Sequence, residues 1–182
     1  LIAVTSATPY AVDQPVSETS NVVTLLYDPN FQPAQATINY TLQGRTDHTA
    51  TLNVEFYEVG QTTPAFTLTA SGDATGAASL VNLPEGEYQV AVKEAKYLQR
   101  VVTVTLVAGA NTINVGELLA GDANNDNFVT LADLTILGIS FNLSSSDTGY
   151  DDRADFNGDG FVTLGDLTLL GLNFNTAGET VE

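Results

Sequence analysis

The stretch "GDANNDNFVTLADLTILGISFN" (residues 121–142) returns 33 positions later as "ADFNGDGFVTLGDLTLLGLNFN" (residues 154–175), with 14 of 22 aligned positions identical. In each copy the oxygen-bearing side chains fall at positions 1, 3, 5, 9 and 12 of a twelve-residue loop. They are Asp122, Asn124, Asp126, Thr130 and Asp133 in the first, and Asp155, Asn157, Asp159, Thr163 and Asp166 in the second. Alternate side chains of a tight loop point to its centre, and position 7 adds a main-chain carbonyl, from Phe128 and Phe161. Six or more hard oxygens at about 2.3–2.6 Å is what calcium requires. Position 12 opens the helix that follows and turns a carboxylate back toward the loop. Position 6 must take a positive φ, which Gly160 supplies without strain and Asn127 tolerates better than most residues. A single such loop could be an Asx-rich turn. Two copies, each leading into an apolar helical pattern, point to two calcium ions.

Both helices carry two apolar stripes. Leu131, Leu134, Leu137 and Phe141 recur at helical spacing, and Leu164, Leu167, Leu170 and Phe174 repeat them, so these should pack the helices together. Ile136 and Ile139, with Leu169 and Leu172, point the opposite way and form an expected docking face, for this chain's own β-structure or for another molecule.

Charge narrows the partners. Twenty-two acids face five bases, for a formal charge of −17, and residues 121–182 hold eleven of those acids against one base, Arg153. Such a surface repels phosphate backbones, so nucleic acid is excluded as a partner and metal cations are favoured. No apolar run approaches the roughly 18 residues of a membrane helix. There is no Cys, and the one His, His48, lies in an expected surface loop. These exclude a disulfide framework, thiol chemistry and a Cys/His zinc site. The start shows no leader pattern, and Leu1 in place of Met suggests a processed or trimmed chain. No nucleophile–base–orienter set stands out, and the expectation is no enzyme activity.

The loop–helix duplication, with Asp at position 12 and no helix before the first loop, resembles a dockerin over residues 120 to 176. Dockerins are small calcium-dependent modules that plug proteins into cohesin modules of extracellular bacterial assemblies, and the resemblance carries both ligand sets over position for position. The Ser-Thr pair that many dockerins use at loop positions 10 and 11 to read enzyme-type cohesins is replaced here by Leu131-Ala132 and Leu164-Gly165. The metal sites therefore transfer better than the partner.

The preceding residues alternate with period two. Leu52, Val54 and Phe56 oppose Asn53, Glu55 and Tyr57; Tyr88, Val90 and Val92 oppose Gln89, Ala91 and Lys93. "AFTLTA", "AASLVNL", "RVVTVTLVAG" and "NTINVGEL" are further strand-like runs, divided by turn signals at Ser71-Gly72-Asp73, Leu83-Pro84-Glu85-Gly86 and Ala108-Gly109. The run "SGDATGAASLVNLPEGEYQVAVKEAKYL" resembles the carboxypeptidase-regulatory-like, prealbumin-type β-sandwich of bacterial surface proteins. The expected architecture is mainly β: an antiparallel Greek-key sandwich over 34–119, then a small helical dockerin-like module with two EF-hand-type loops over 120–177. Residues 1–33 form an extension with one or two strands, and 178–182 a tail.

The function expected is that of a non-catalytic, secreted calcium-binding assembly protein at the cell surface, docking on a cohesin-like module or on identical subunits. A self-assembling filament, with an N-terminal strand from residues 1–33 donated to the next subunit, is one alternative. Polysaccharide binding is another, kept open by seven tyrosines but weakened by the lack of Trp.

Overall fold

In a computed structural model, the described residues are 32–182. The expected N-terminal strands and the strand-donation site lie outside them. Seven strands come first: β1 (Ala34–Leu42), β2 (Ala50–Glu58), β3 (Phe66–Gly72), β4 (Ala77–Leu83), β5 (Gly86–Lys93), β6 (Arg100–Leu106) and β7 (Gly109–Leu118). Helix α1 (Leu131–Ser140), a 3-10 turn at Asp152–Ala154 and helix α2 (Leu164–Leu172) follow.

The strands hydrogen-bond in the order β6-β5-β2-β3-β4-β1-β7. Strands β2, β3 and β4 run consecutively and β5 returns beside β2, which is the Greek-key arrangement. All pairs are antiparallel except β1 with β7, which run parallel from Ala34↔Gly109 to Leu42↔Leu118. That one pair departs from the antiparallel expectation.

Strands β6 and β7 end the order, yet only Val107 and Ala108 separate them in sequence. A flat seven-stranded sheet would hold them about 29 Å apart at ~4.8 Å per strand, whereas that link reaches only about 11 Å. The sheet must therefore fold over, and it does so at β3–β4, where pairing is reduced to Gly72↔Ala78. Leu52, Val54, Phe56, Val90 and Val92 from one half share a core with Ile38, Leu42, Leu80, Ile113 and Val115 from the other. Each such fully buried side chain contributes about 1.5–3 kcal/mol. Strand β1 has strict alternation, with Ala34, Ala36, Ile38, Tyr40 and Leu42 all buried.

The same core continues into the helical module through Ala120, Ala123, Val129, Leu137, Phe156, Val162 and Leu170, and residues 33–182 form one compact unit. The boundary expected near residue 120 thus runs through a shared core. Within the module, each loop pairs with the segment after the other helix. The Val129 N–H donates to the Thr176 carbonyl and the Asn175 N–H to that of Val129; the Asn142 N–H donates to the Val162 carbonyl and the Val162 N–H to that of Leu143.

The helix faces need correction. Leu137 and Leu170 are buried and Leu134 and Leu167 half-buried, but Leu131 and Leu164 are each 68% exposed, and Phe141 and Phe174 are exposed as well. Both leucines are the first helical residue, directly after an N-cap, where the side chain lies beyond the packed turns. His48 is also not a free surface residue. It is half-buried, its Nδ1 accepts the Leu42 N–H at 3.0 Å, and its carbonyl accepts the Tyr40 hydroxyl at 2.6 Å, which closes the end of β1.

Candidate metal centre and docking surface

Each helix begins with a capping box. Thr130 and Thr163 are the N-caps; Asp133 and Asp166, at the third helical position, accept the N-cap N–H while the threonine hydroxyl accepts a first-turn N–H. Loop positions 9 and 12 therefore start the helix and bring a carboxylate back at once. Asp133 also accepts the Asn124 N–H at 3.0 Å, and Asp166 those of Phe156 and Asn157 at 2.8 and 3.2 Å.

Position 1 is held in the same way. Asp122 accepts the Asp126 and Asn127 N–H groups, both at 2.9 Å, and Asp155 accepts those of Gly158 and Gly160 at 2.8 and 3.0 Å. The position-6 residues do take positive φ, 67° at Asn127 and 84° at Gly160. Position 3 is half-buried and position 5 exposed in both loops, with the Asn124 and Asn157 amides donating to Asp126 and Asp159 at 2.7 and 2.9 Å. Phe128 and Phe161 place their side chains at the surface.

Among the described residues no three His, Cys, Asp or Glu side chains gather closely enough to hold a metal ion by themselves. The shell that either loop can offer is mixed: two buried carboxylates, one at the surface, an Asn, a Thr and a main-chain carbonyl. The burial is what fits a cation. Asp122, Asp133 and Asp166 are 0% exposed and Asp155 is 3% exposed. Among the described residues, Lys93 pairs with Asp122, but no Lys or Arg pairs with the carboxylates of Asp133, Asp155 or Asp166. Buried carboxylates of one sign are costly unless a positive charge faces them, and all-oxygen donors suit a hard divalent ion.

The sandwich supplies contacts that sequence reading did not anticipate. Four of the five basic residues lie before the loops, and all four reach residues 122–179. Lys93 Nζ is 2.8 Å from Asp122 Oδ2. Lys96 Nζ reaches Asp152 Oδ2 at 3.1 Å and the Asp155 carbonyl at 3.2 Å. Arg45 donates to the Phe156 carbonyl at 3.1 Å, and Arg100 pairs with Glu179 at 2.8 Å. The Tyr97 hydroxyl joins Arg45 on the Phe156 carbonyl, and burial pushes that phenol well above its ordinary range. Burial, and then the hydrogen bond it gives Asp155, likewise push the Tyr150 phenol up. The buried Asn173 amide donates to Gln43 Oε1 at 2.6 Å and to the Ala120 carbonyl at 2.7 Å. The clustering of bases upstream of the loops was the available signal.

The expected docking face divides. Ile136 and Leu169 are half-buried against the core, and Leu169 packs on the β1–β2 turn at Gly44, where a Cβ would lie 2.5 Å from its Cδ1. Ile139 and Leu172 stay outside, 74% and 70% exposed. The exposed apolar set comes in matched pairs from the two copies: Leu131 with Leu164, Ile139 with Leu172, Phe141 with Phe174. Of the tyrosines among the described residues, Tyr40, Tyr57, Tyr88 and Tyr97 are buried and Tyr150 is half-buried. Among the described residues, no helix is long and apolar enough to cross a membrane.

Comparison with known proteins finds residues 120–175 similar to the dockerin type I domain family. Two solved structures resemble most of the chain, and both are type II cohesin–X–dockerin complexes from Acetivibrio cellulolyticus. A C-terminal interface mutant aligns at 21% identity and a TM-score of 0.65; an N-terminal interface mutant aligns at 25% identity and a TM-score of 0.60. Each alignment covers 80% of this chain and 97% of the other. No curated protein matches the chain. The dockerin resemblance read from the loops and the mainly-β fold ending in a small helical module are both supported.

Proposed function

We propose that this chain is a non-catalytic docking protein that works outside the cell, binds two calcium ions through its duplicated loops, and presents the outer surfaces of α1 and α2 to a cohesin-like module. The observation that carries this reading is the matched exposure of Leu131 and Leu164, Ile139 and Leu172, and Phe141 and Phe174. Two copies of one motif display the same large apolar side chains outward, while their buried face packs on the sandwich. Burying such side chains against a partner is worth about 1.5–3 kcal/mol each, enough for a stable complex when several are covered together. The likeness to chains from cohesin–X–dockerin complexes supports the partner class.

In the calcium reading the ligands of the first ion are Asp122, Asn124, Asp126, the Phe128 carbonyl, Thr130 and Asp133. Those of the second are Asp155, Asn157, Asp159, the Phe161 carbonyl, Thr163 and Asp166. Bound calcium would neutralise the buried carboxylates and fix both helices at the angle that presents the docking surface. The sandwich then serves as the platform against which Ile136 and Leu169 are held.

The test is titration calorimetry of the full chain against purified type I and type II cohesin modules, in calcium and in chelator. A complex that forms only in calcium and is weakened at least tenfold by Ile139→Asp together with Leu172→Asp is expected. Absence of binding to either cohesin type, or full binding by the double variant, would overturn the assignment.

A further inference from the structure

The two loops are nearly the same in sequence but differ in what supports their first carboxylate. In the second loop, Asp155 Oδ2 accepts the Gly160 N–H and, at 2.8 Å, the Tyr150 hydroxyl. In the first loop, Asp122 Oδ2 accepts the Asn127 N–H and, also at 2.8 Å, the Lys93 ammonium. Lys93 and Tyr150 thus take equivalent places on equivalent atoms. One brings a positive charge from β5, the other a neutral hydroxyl from the segment between the helices.

Lys93 is well placed for this. Its Nζ is fixed by the carbonyls of Glu94 at 3.1 Å and Tyr97 at 2.6 Å, with Ala95 at 3.5 Å, and its side chain is 12% exposed. Lys96 and Arg45 also approach the second loop, but on the main-chain oxygens of Asp155 and Phe156, which leaves both Asp155 carboxylate oxygens to N–H groups and Tyr150.

The geometry points to Lys93 as a tethered counter-ion that sets the calcium affinity of the first loop. With no metal bound, the ammonium neutralises Asp122 and holds the loop against the sandwich. A divalent ion entering the loop meets that fixed positive charge, which opposes it. The charge therefore stabilises the metal-free loop and lowers its affinity, whereas among the described residues no Lys or Arg sits on the first carboxylate of the second loop. A unit charge about 5 Å from a divalent ion, even when screened by the dielectric constant of water, alters the ion's affinity by on the order of tenfold. This inference rests on the calcium reading of the loops. A prop without an electrostatic role would predict the opposite sign, because its loss would loosen Asp122 and weaken binding.

The test uses the full chain and follows the Asn127 amide for the first loop and the Gly160 amide for the second by NMR during calcium titration. For Lys93→Met the affinity of the first loop is expected to rise about tenfold, with the second within about threefold, and the melting temperature in chelator should fall. The reciprocal Tyr150→Lys should lower the affinity of the second loop about tenfold below that of Tyr150→Phe, which removes the hydroxyl alone, so the idea stays testable if Lys93→Met does not fold. A first-loop affinity that is unchanged or reduced in Lys93→Met, or a second-loop affinity unchanged in Tyr150→Lys, overturns the counter-ion role. If neither amide of the native chain responds to calcium, the calcium reading itself fails, and the inference with it.

Discussion

Between β1 and β7 the interior is built from Ile38, Leu52, Val54, Phe56, Val90 and Ile113, whereas residues 120–177 bury Asp122, Asp133, Asp155 and Asp166 alongside their few apolar anchors. Among the described residues, the sole buried charged side chain from the strand region is Lys96, and its ammonium points to Asp152 and Asp155. The sandwich can be stable on apolar burial alone. The helical module has two short helices, and its centre is carboxylate. What holds it is a combination of capping boxes, the basic residues of the sandwich and, on the proposed reading, calcium. The difference teaches that a small module can replace a large hydrophobic core with a charged one, provided that cations come from somewhere.

Calcium removal should separate the two regions most. With calcium a thousandfold above Kd, each occupied site adds about 4 kcal/mol. Differential scanning calorimetry in chelator should then show the module unfolding well below the sandwich, and an unchanged melting profile would remove the distinction.

Paired core truncations sharpen it further. Phe56 and Phe156 are both 0% exposed, so Phe56→Ala and Phe156→Ala should each cost about 3–5 kcal/mol in urea unfolding. Only Phe156→Ala, which alters the segment that Asp166 holds, should also weaken calcium binding. At the junction, Asn173→Ala removes one buried and one part-buried hydrogen bond; Gln43 Oε1 keeps the Ala120 N–H, but the Ala120 carbonyl loses its Asn173 donor. A loss of about 1–3 kcal/mol is expected in the same assay.

The smallest effect belongs to the sandwich. Hydrogen bonds from the Thr75 hydroxyl and from the Ala77 and Thr75 N–H groups hold the Asp73 carboxyl below its ordinary 3.8. A depressed folded-state value gives stability that is present above the ordinary value and lost as pH falls through the folded one. Asp73→Asn should therefore lower the urea midpoint slightly at pH 7, and the gap to native protein should close as the pH falls below the ordinary 3.8 and through the depressed folded-state value.

The loops and most strands were legible because their signals are local: odd-spaced oxygens, a positive-φ position, period-two alternation. Strand β1 was not among the strand-like runs, since Ala34 and Ala36 are weak apolar markers even though both are buried. Helix faces were half legible. Spacing located Leu137 and Leu170, but position at the helix start decided that Leu131 and Leu164 face water. The parallel β1–β7 pair and the contacts of Lys93, Lys96 and Tyr150 depend on which distant segments meet, which no periodicity encodes.

Calcium titration calorimetry on the metal-stripped full chain tests the central claim most directly. The account predicts two ions bound per chain, with Asp122→Ala and Asp155→Ala each removing one of them and leaving the other. A stoichiometry of zero or one for the native chain, or two ions still bound by either variant, would contradict it.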